Sequence, residues 1–104
     1  MAAAAIDLKE SSPGKYAARG PLTFPTARLA REAGLAIVKG ANQPQIEIDC
    51  SGITSADSAG MTVLLDWLAC ARCAGRSLHF LNLPQQVQAI ARISDVLELL
   101  EKGV

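Results

Sequence analysis

The side chains of this chain that could do chemistry are an aspartate and serine pair, three cysteines and one histidine. Asp57 and Ser58 follow a run typical of a strand and a polar loop, and they precede an apolar run over residues 61–71. Such a pair can cap a helix by accepting hydrogen bonds from free backbone N–H groups. It can equally present a carboxylate and a hydroxyl to a second molecule. Both roles stay open at this point.

The cysteines do not predict a metal or redox site. Cys50 lies in the strand run and is expected to be buried. Cys70 and Cys73 have the spacing of a redox or zinc pair, but they lie near the end of a predicted helix and lack a second Cys or His pair to complete four ligands. We therefore expect thiols that pack as small hydrophobic side chains, and no metal or other cofactor.

Nothing in the sequence groups a nucleophile, a base and an orienting residue. His79, the only histidine, lies in a strand pattern without a suggested catalytic partner, and a surface or packing role is expected for it. The sequence therefore predicts a protein that is not an enzyme.

Composition restricts the partners. The 104 residues include ten Lys plus Arg against ten Asp plus Glu, and half are hydrophobic. Balanced charge without basic clusters argues against nucleic acid, and no run approaches the ~18 apolar residues that span a bilayer. Residues 1–5 lack the basic start of a signal peptide. We expect a single domain over residues 1–104, cytoplasmic, whose membrane association would come through a partner.

Alternating strand and helix patterns must position the pair. Residues 5–9 and 15–19 flank the turn formers Pro13 and Gly14 and predict a hairpin. The patterns that follow predict a helix, a strand, a helix, a strand and two more helices. This order indicates an α/β domain with a small mixed sheet of about four strands flanked by about four helices.

The second predicted helix is more apolar than one sheet contact requires. Its apolar residues fill an arc of roughly 220°, whereas a helix on a sheet needs a stripe of ~100°. Val63 and Trp67 lie on one flank, outside the natural core face. A neighbouring helix or another protein could cover them, and a tryptophan in such a place is a fair interface anchor.

Residues 48–53, followed by Asp57-Ser58-Ala59-Gly60 and a long apolar helix, resemble the signature of STAS domains, named for sulfate transporters and anti-sigma factor antagonists. The resemblance extends to residues 20–23 and 81–83 and covers almost the whole chain. It is incomplete at two positions, because the family more often has acidic residues where this chain has Pro21 and Thr23. It implies the STAS fold and a binding module without catalytic chemistry.

Two branches of this family imply different partners. Anti-sigma factor antagonists typically carry a phosphorylatable serine directly before the loop glycine, where this chain has Ala59, so Ser58 is a less usual acceptor. That branch implies an anti-sigma factor or serine kinase as partner. The STAS subunit of the Mla phospholipid transporter looks closer, because its Asp-Thr-Ala-Gly loop resembles residues 57–60. It implies a cytoplasmic subunit, peripheral at the inner membrane, that docks on the ATPase subunit of an ABC transporter.

The same resemblance places a partner-binding site on the loop and on one side of the following helix. The resemblance implies polar contacts at the centre of this site, further polar groups along the helix, and some apolar contact area. The expected partner-binding residues are Asp57, Ser58, Ala59, Gly60, Thr62, Val63, Asp66 and Trp67. In the alternative branch, Ser58 is the phosphorylation site.

Overall fold

The structure is a computed structural model that describes residues 6–104, with one four-stranded sheet and four helices. In chain order the elements are β1 (Asp7–Ser12), β2 (Lys15–Leu22), α1 (Phe24–Gly40), β3 (Gln45–Ala56), α2 (Ser58–Cys73), β4 (Ser77–Leu81), α3 (Gln85–Ile93) and α4 (Leu97–Lys102). The predicted fold class and element order are confirmed. Ala5, predicted to start the first strand, lies outside the described residues.

The sheet has the strand order β1-β2-β3-β4. β1 pairs with β2 in antiparallel orientation, whereas β2, β3 and β4 run parallel. β3 continues to Ala56, where it pairs with Leu22 at the end of β2, so the polar segment that was expected to be loop is strand. Because both strands end at the same edge, α1 and α2 begin side by side.

The core lies between the sheet and the helices. β3 alternates as a strand with one covered face should, since Ile46, Ile48 and Cys50 are buried. α2 supplies the largest buried side chain, Trp67, whose ring centre lies 6.4 Å from that of Phe80 on β4. α2 is thus a central element of the core, and only part of its surface remains available to a partner.

α1 covers the flank of α2 that carries Trp67. The indole Nε1–H donates a hydrogen bond to the backbone carbonyl of Arg31 at 3.3 Å. A Cβ placed on Gly34 would lie 2.1 Å from the indole ring, so only glycine allows this approach of the two helices. A neighbouring helix, and not a second protein, accounts for the apolar excess on this flank.

The cysteines and the histidine have different environments. Cys50 is buried as expected, and burial raises the pKa of its thiol to about 12. Cys70 is half-buried, whereas Cys73 is exposed at the end of α2, so the expectation that all three pack as small hydrophobic side chains is wrong for Cys73. His79 is exposed on β4.

No helix within residues 6–104 combines the length and apolar character needed to cross a bilayer. In the same part of the chain, no three His, Cys, Asp or Glu side chains are grouped so that they could hold a metal ion.

Candidate functional site

Asp57 joins the beginnings of α1 and α2. It follows β3 with an extended backbone and is the N-cap residue of α2. Its Oδ1 accepts a hydrogen bond from the N–H of Gly60 at 3.0 Å. Its Oδ2 accepts one from the N–H of Phe24, the first residue of α1, also at 3.0 Å. One carboxylate therefore satisfies free N–H groups of two helices.

These hydrogen bonds also determine the charge of Asp57. The bond from the Gly60 N–H, followed by the bond from the Phe24 N–H, lowers the pKa of the carboxyl below its ordinary value. The group is therefore ionised at neutral pH. Because both oxygens already accept hydrogen bonds within the chain, Asp57 acts first as a positioning residue for the loop.

Gln86 of α3 supports the same loop from the end of β3. Its Oε1 accepts a hydrogen bond from the backbone N–H of Ala56 at 2.8 Å, immediately before Asp57. The loop is thus held by side chains at two consecutive residues. A loop fixed in this way can present its neighbours in one geometry.

Ser58, Thr62 and Asp66 form a polar stripe along α2. They are spaced by four residues and so share one side of the helix. Ser58 and Thr62 are exposed and Asp66 is partly exposed. The Thr62 hydroxyl donates a hydrogen bond to the backbone carbonyl of Ser58 at 2.9 Å. The structure therefore brings together three of the expected contact residues on an accessible face.

Asp66 connects this polar stripe to α1. Its Oδ2 lies 3.0 Å from Nε of Arg31, and the two side chains keep 39% and 52% of their surface exposed. An ion pair this open contributes about 1 kcal/mol or less to stability. The ion pair matters for the site because it holds an arginine of α1 beside the accessible surface of α2.

An open depression of about 440 Å³ lies between the first halves of α1 and α2. Phe24 and Ala27 of α1 line one side of it, and Ala59 and Thr62 of α2 line the other, with Val63 in between. Phe24 keeps 78% of its surface exposed, which is unusual for a phenylalanine. An apolar hollow with a polar stripe beside it has the composition of a protein-binding surface.

Three of the expected contact residues belong to the interior. Trp67 is fully buried and Gly60 is buried, so the expectation that they contact a partner is wrong. A Cβ on Gly60 would lie 2.0 Å from the backbone oxygen of Leu22, which shows that Gly60 faces β2. Val63, 3% exposed, contributes only to the lining of the depression. The cause is the close packing of α2 on β2 and α1.

The sequence pattern did not indicate the α1 side of the site, because all of the expected contact residues belong to the loop and α2. Phe24, Ala27, Arg28 and Arg31 all line the depression. One signal was present in the sequence, because Phe24 precedes Pro25 at the start of a helix, where an apolar side chain is not needed for the core. Placing it beside Ala59 requires the parallel pairing of β2 and β3.

The fold is a two-layer α/β scaffold that presents the start of a helix, braced by hydrogen bonds, beside an apolar depression. The chain belongs to the STAS domain family, because the family model described as "Mlab, STAS domain" matches residues 9–101. STAS domains mediate protein–protein interactions and are generally non-catalytic regulators or accessory domains.

Two solved structures are similar to the chain over most of its length. One is the anti-sigma factor antagonist SpoIIAA in its unphosphorylated form, with a TM-score of 0.64 and 13% identity, covering 85% of this chain and 82% of that one. The other is the Bacillus cell fate determinant SpoIIAA in the phosphorylated form, with a TM-score of 0.68 and 14% identity, covering 92% and 87%. At these identities the likeness shows the fold. No curated protein sequence matches the chain.

Proposed function

We propose that this chain is a non-catalytic accessory subunit that binds the ATPase subunit of an ABC-type phospholipid transporter. In this role it stabilises or regulates a complex that maintains outer-membrane lipid asymmetry, and it lies on the cytoplasmic side of the inner membrane through its partner. The observation that carries the proposal is the accessible stripe of Ser58, Thr62 and Asp66 beside the apolar depression, in a chain matched by the Mlab-type STAS model.

The chemistry of this surface suits a protein partner. Ser58 and Thr62 can donate and accept hydrogen bonds, and the small side chain of Ala59 allows close approach of a partner backbone. Phe24 offers a large apolar side chain at the edge. Anchors of this kind with polar groups around them typically provide most of the binding energy of an interface.

Regulation follows from the same contact. A subunit that binds one conformation of an ATPase more tightly than another shifts the ATPase toward that conformation. The shift is limited by the difference between the two affinities. With equal affinities the proposed subunit only stabilises the complex, and with unequal affinities it also changes the rate of ATP hydrolysis without taking part in it.

The decisive experiment is co-purification with the ATPase subunit of the phospholipid transporter from the same organism. Ser58→Glu places an uncompensated charge in the proposed contact and is expected to weaken binding by about 30-fold, which corresponds to ~2 kcal/mol. The variant should fold normally, because an acidic residue in the first turn of a helix is stabilising.

Ala89→Glu is the control for added charge, since Ala89 is also exposed on a helix but belongs to α3 and not to the proposed contact. It is expected to bind like the unchanged chain. Binding of Ser58→Glu at full strength would rule out the site, and lack of binding by the unchanged chain would rule out the ATPase as partner.

A second candidate is an anti-sigma factor antagonist in a phosphorylation-controlled switch. The observation that favours it is the exposed Ser58 in a fold shared with SpoIIAA, whose unphosphorylated and phosphorylated forms are both known. Intact-mass measurement after incubation with cell extract and ATP should then show one added phosphate, absent from Ser58→Ala. A chain that binds an anti-sigma factor when unphosphorylated, loses that binding when Ser58 is phosphorylated, and does not bind the ATPase would replace the first proposal.

A further inference from the structure

The furrow between α1 and α2 extends well beyond the depression beside Ser58. A second depression of about 300 Å³ follows it, lined by Leu35 and Lys39 of α1 and by Ala69, Cys70 and Cys73 of α2. Both depressions also include the ion pair of Arg31 and Asp66. The two hollows are therefore halves of one furrow, which this ion pair crosses in the middle.

The two helices keep a nearly constant register along the furrow. The first depression joins residues 24–31 of α1 to residues 59–66 of α2, and the second joins residues 31–39 to residues 66–73. Opposite residues thus differ by about 35 in number over both halves. This regularity means that α1 and α2 run side by side in the same direction, so the furrow follows both helices over residues 24–39 and 59–73.

The dimensions of the furrow match the repeat of a helix. Residues 59–73 span about 21 Å at 1.5 Å per residue. The midpoints of the two halves, near Val63 and Cys70, are seven residues or about 10 Å apart. A third helix in the furrow would present side chains at positions i and i+7 with the same spacing, and a side chain near i+4 would face the ion pair.

The charges along the furrow specify the occupant further. Its lining includes three cationic side chains, Arg28, Arg31 and Lys39, and one carboxylate, Asp66. Arg31 is already paired with that carboxylate. Arg28 lies 3.5 Å from Glu32, but its side chain is 89% exposed and so the pair is weak. The furrow therefore favours an occupant with acidic residues beside its apolar stripe.

We infer that the furrow receives an amphipathic helix of about 14 residues from the partner. Its apolar residues recur at heptad spacing, one in each half of the furrow, and acidic residues flank them. The inference rests on the proposed function and adds to it the kind of segment that the partner provides.

Site-specific photocrosslinking in the complex with the ATPase subunit tests the geometry. Benzoylphenylalanine is placed at Thr62 in the first half, at Ala69 in the second half, and at Ala89 on the exposed side of α3 as a control. Thr62 and Ala69 are expected to crosslink to one segment of the ATPase, at residues about seven apart, and Ala89 is expected to give no product. The inference would be overturned if Thr62 gave a crosslinked product and Ala69 gave none, or if the two positions crosslinked to unrelated segments of the ATPase.

A charge change measures the same contact by affinity. Ala69→Glu brings a negative charge toward acidic flanks of the occupant and is expected to weaken ATPase binding by about tenfold. Ala89→Glu is the matched control, and both sites are exposed helix positions that tolerate glutamate. Full binding by Ala69→Glu together with loss of binding by Ser58→Glu would reject the helix and keep the proposed function. No ATPase binding by the unchanged chain would reject both.

Discussion

Replacing Asp57 by alanine should destabilise the fold more than any ordinary loop substitution. The side chain accepts one hydrogen bond from Gly60 and one from Phe24, so its loss leaves the beginnings of both α1 and α2 without a partner. Loss of an N-cap side chain typically costs about 1 kcal/mol. A hydrogen bond to a charged group contributes about 1.5 kcal/mol at the lower end of its range, which suits a partly exposed site.

The expected total is about 2 kcal/mol, since the two bonds share one side chain and do not add fully. For a domain of about this size, the corresponding fall in Tm is about 10 °C. Urea unfolding followed by the fluorescence of Trp67 measures it, because this tryptophan is the only one in the chain and is fully buried. Ser58→Ala is the control and should stay within about 0.5 kcal/mol of the unchanged chain.

Asp57→Asn separates the two bonds. Asparagine is an equally good N-cap residue, so its oxygen can keep the bond from Gly60, but its amide group cannot accept the N–H of Phe24. We expect about half of the loss caused by Asp57→Ala. The proposed role of the carboxylate in joining the two helices would be refuted if Asp57→Ala left the free energy of unfolding unchanged. It would also be refuted if Asp57→Asn lowered that free energy as much as Asp57→Ala.

The same pair of variants gives the pH dependence its sign. The pKa of Asp57 is lowered in the folded chain, so the ionised form stabilises the fold. That contribution is complete above the ordinary carboxyl pKa near 3.9 and is lost as the pH falls through the lowered value. The stability advantage of the unchanged chain over Asp57→Asn should therefore be constant from pH 5 to 7 and shrink below about pH 4. An advantage that grew on acidification would contradict the sign.

Two further predictions concern the core. Gly34→Ala should lower the stability measured in a thermal melt by about 1–3 kcal/mol, because its Cβ would lie 2.1 Å from the Trp67 indole. Gly40→Ala is the control and should be harmless, because its Cβ would meet nothing within 4 Å. Equal melting temperatures of the two variants would refute the tight helix contact. Iodoacetamide at pH 8 should modify exposed Cys73 in the native chain and leave Cys50 unmodified until urea is added, because burial raises the pKa of Cys50 to about 12. Intact mass and peptide mapping measure this, and modification of Cys50 in the native chain would contradict it.

The elements of this fold were predictable because their signals are local. Pro13 and Gly14 mark the hairpin, and apolar residues at helical spacing mark α1 and α2. The end of β3 was not predictable in the same way. Residues 51–56 have the polar composition of a loop, and they become strand only because β2 pairs with them. Pairing between distant segments is not visible in a local pattern.

The surface of α2 shows the same limit. Periodicity alone indicated that Val63 and Trp67 lay outside the natural core face, and it could not decide what covered them. The deciding residue is Gly34, which lies 33 positions earlier and makes space for the indole. A glycine inside a helix, where alanine would be about 1 kcal/mol better, was the available sign of a close contact, although it does not name the contacting residue.

Asp57 and Ser58 show why adjacent residues of one motif need different tests. Asp57 has both carboxylate oxygens bonded within the chain, so a binding defect in an Asp57 variant could arise from a displaced loop. Ser58 is exposed at the first position of α2, and an acidic substitution there is compatible with the helix. If Asp57 has a structural role, its variants should lose stability, and they should lose binding only as far as the folded fraction falls. If Ser58 contacts the partner, its variants should lose binding and keep their stability. Both results together would assign the structural role to Asp57 and the contact to Ser58.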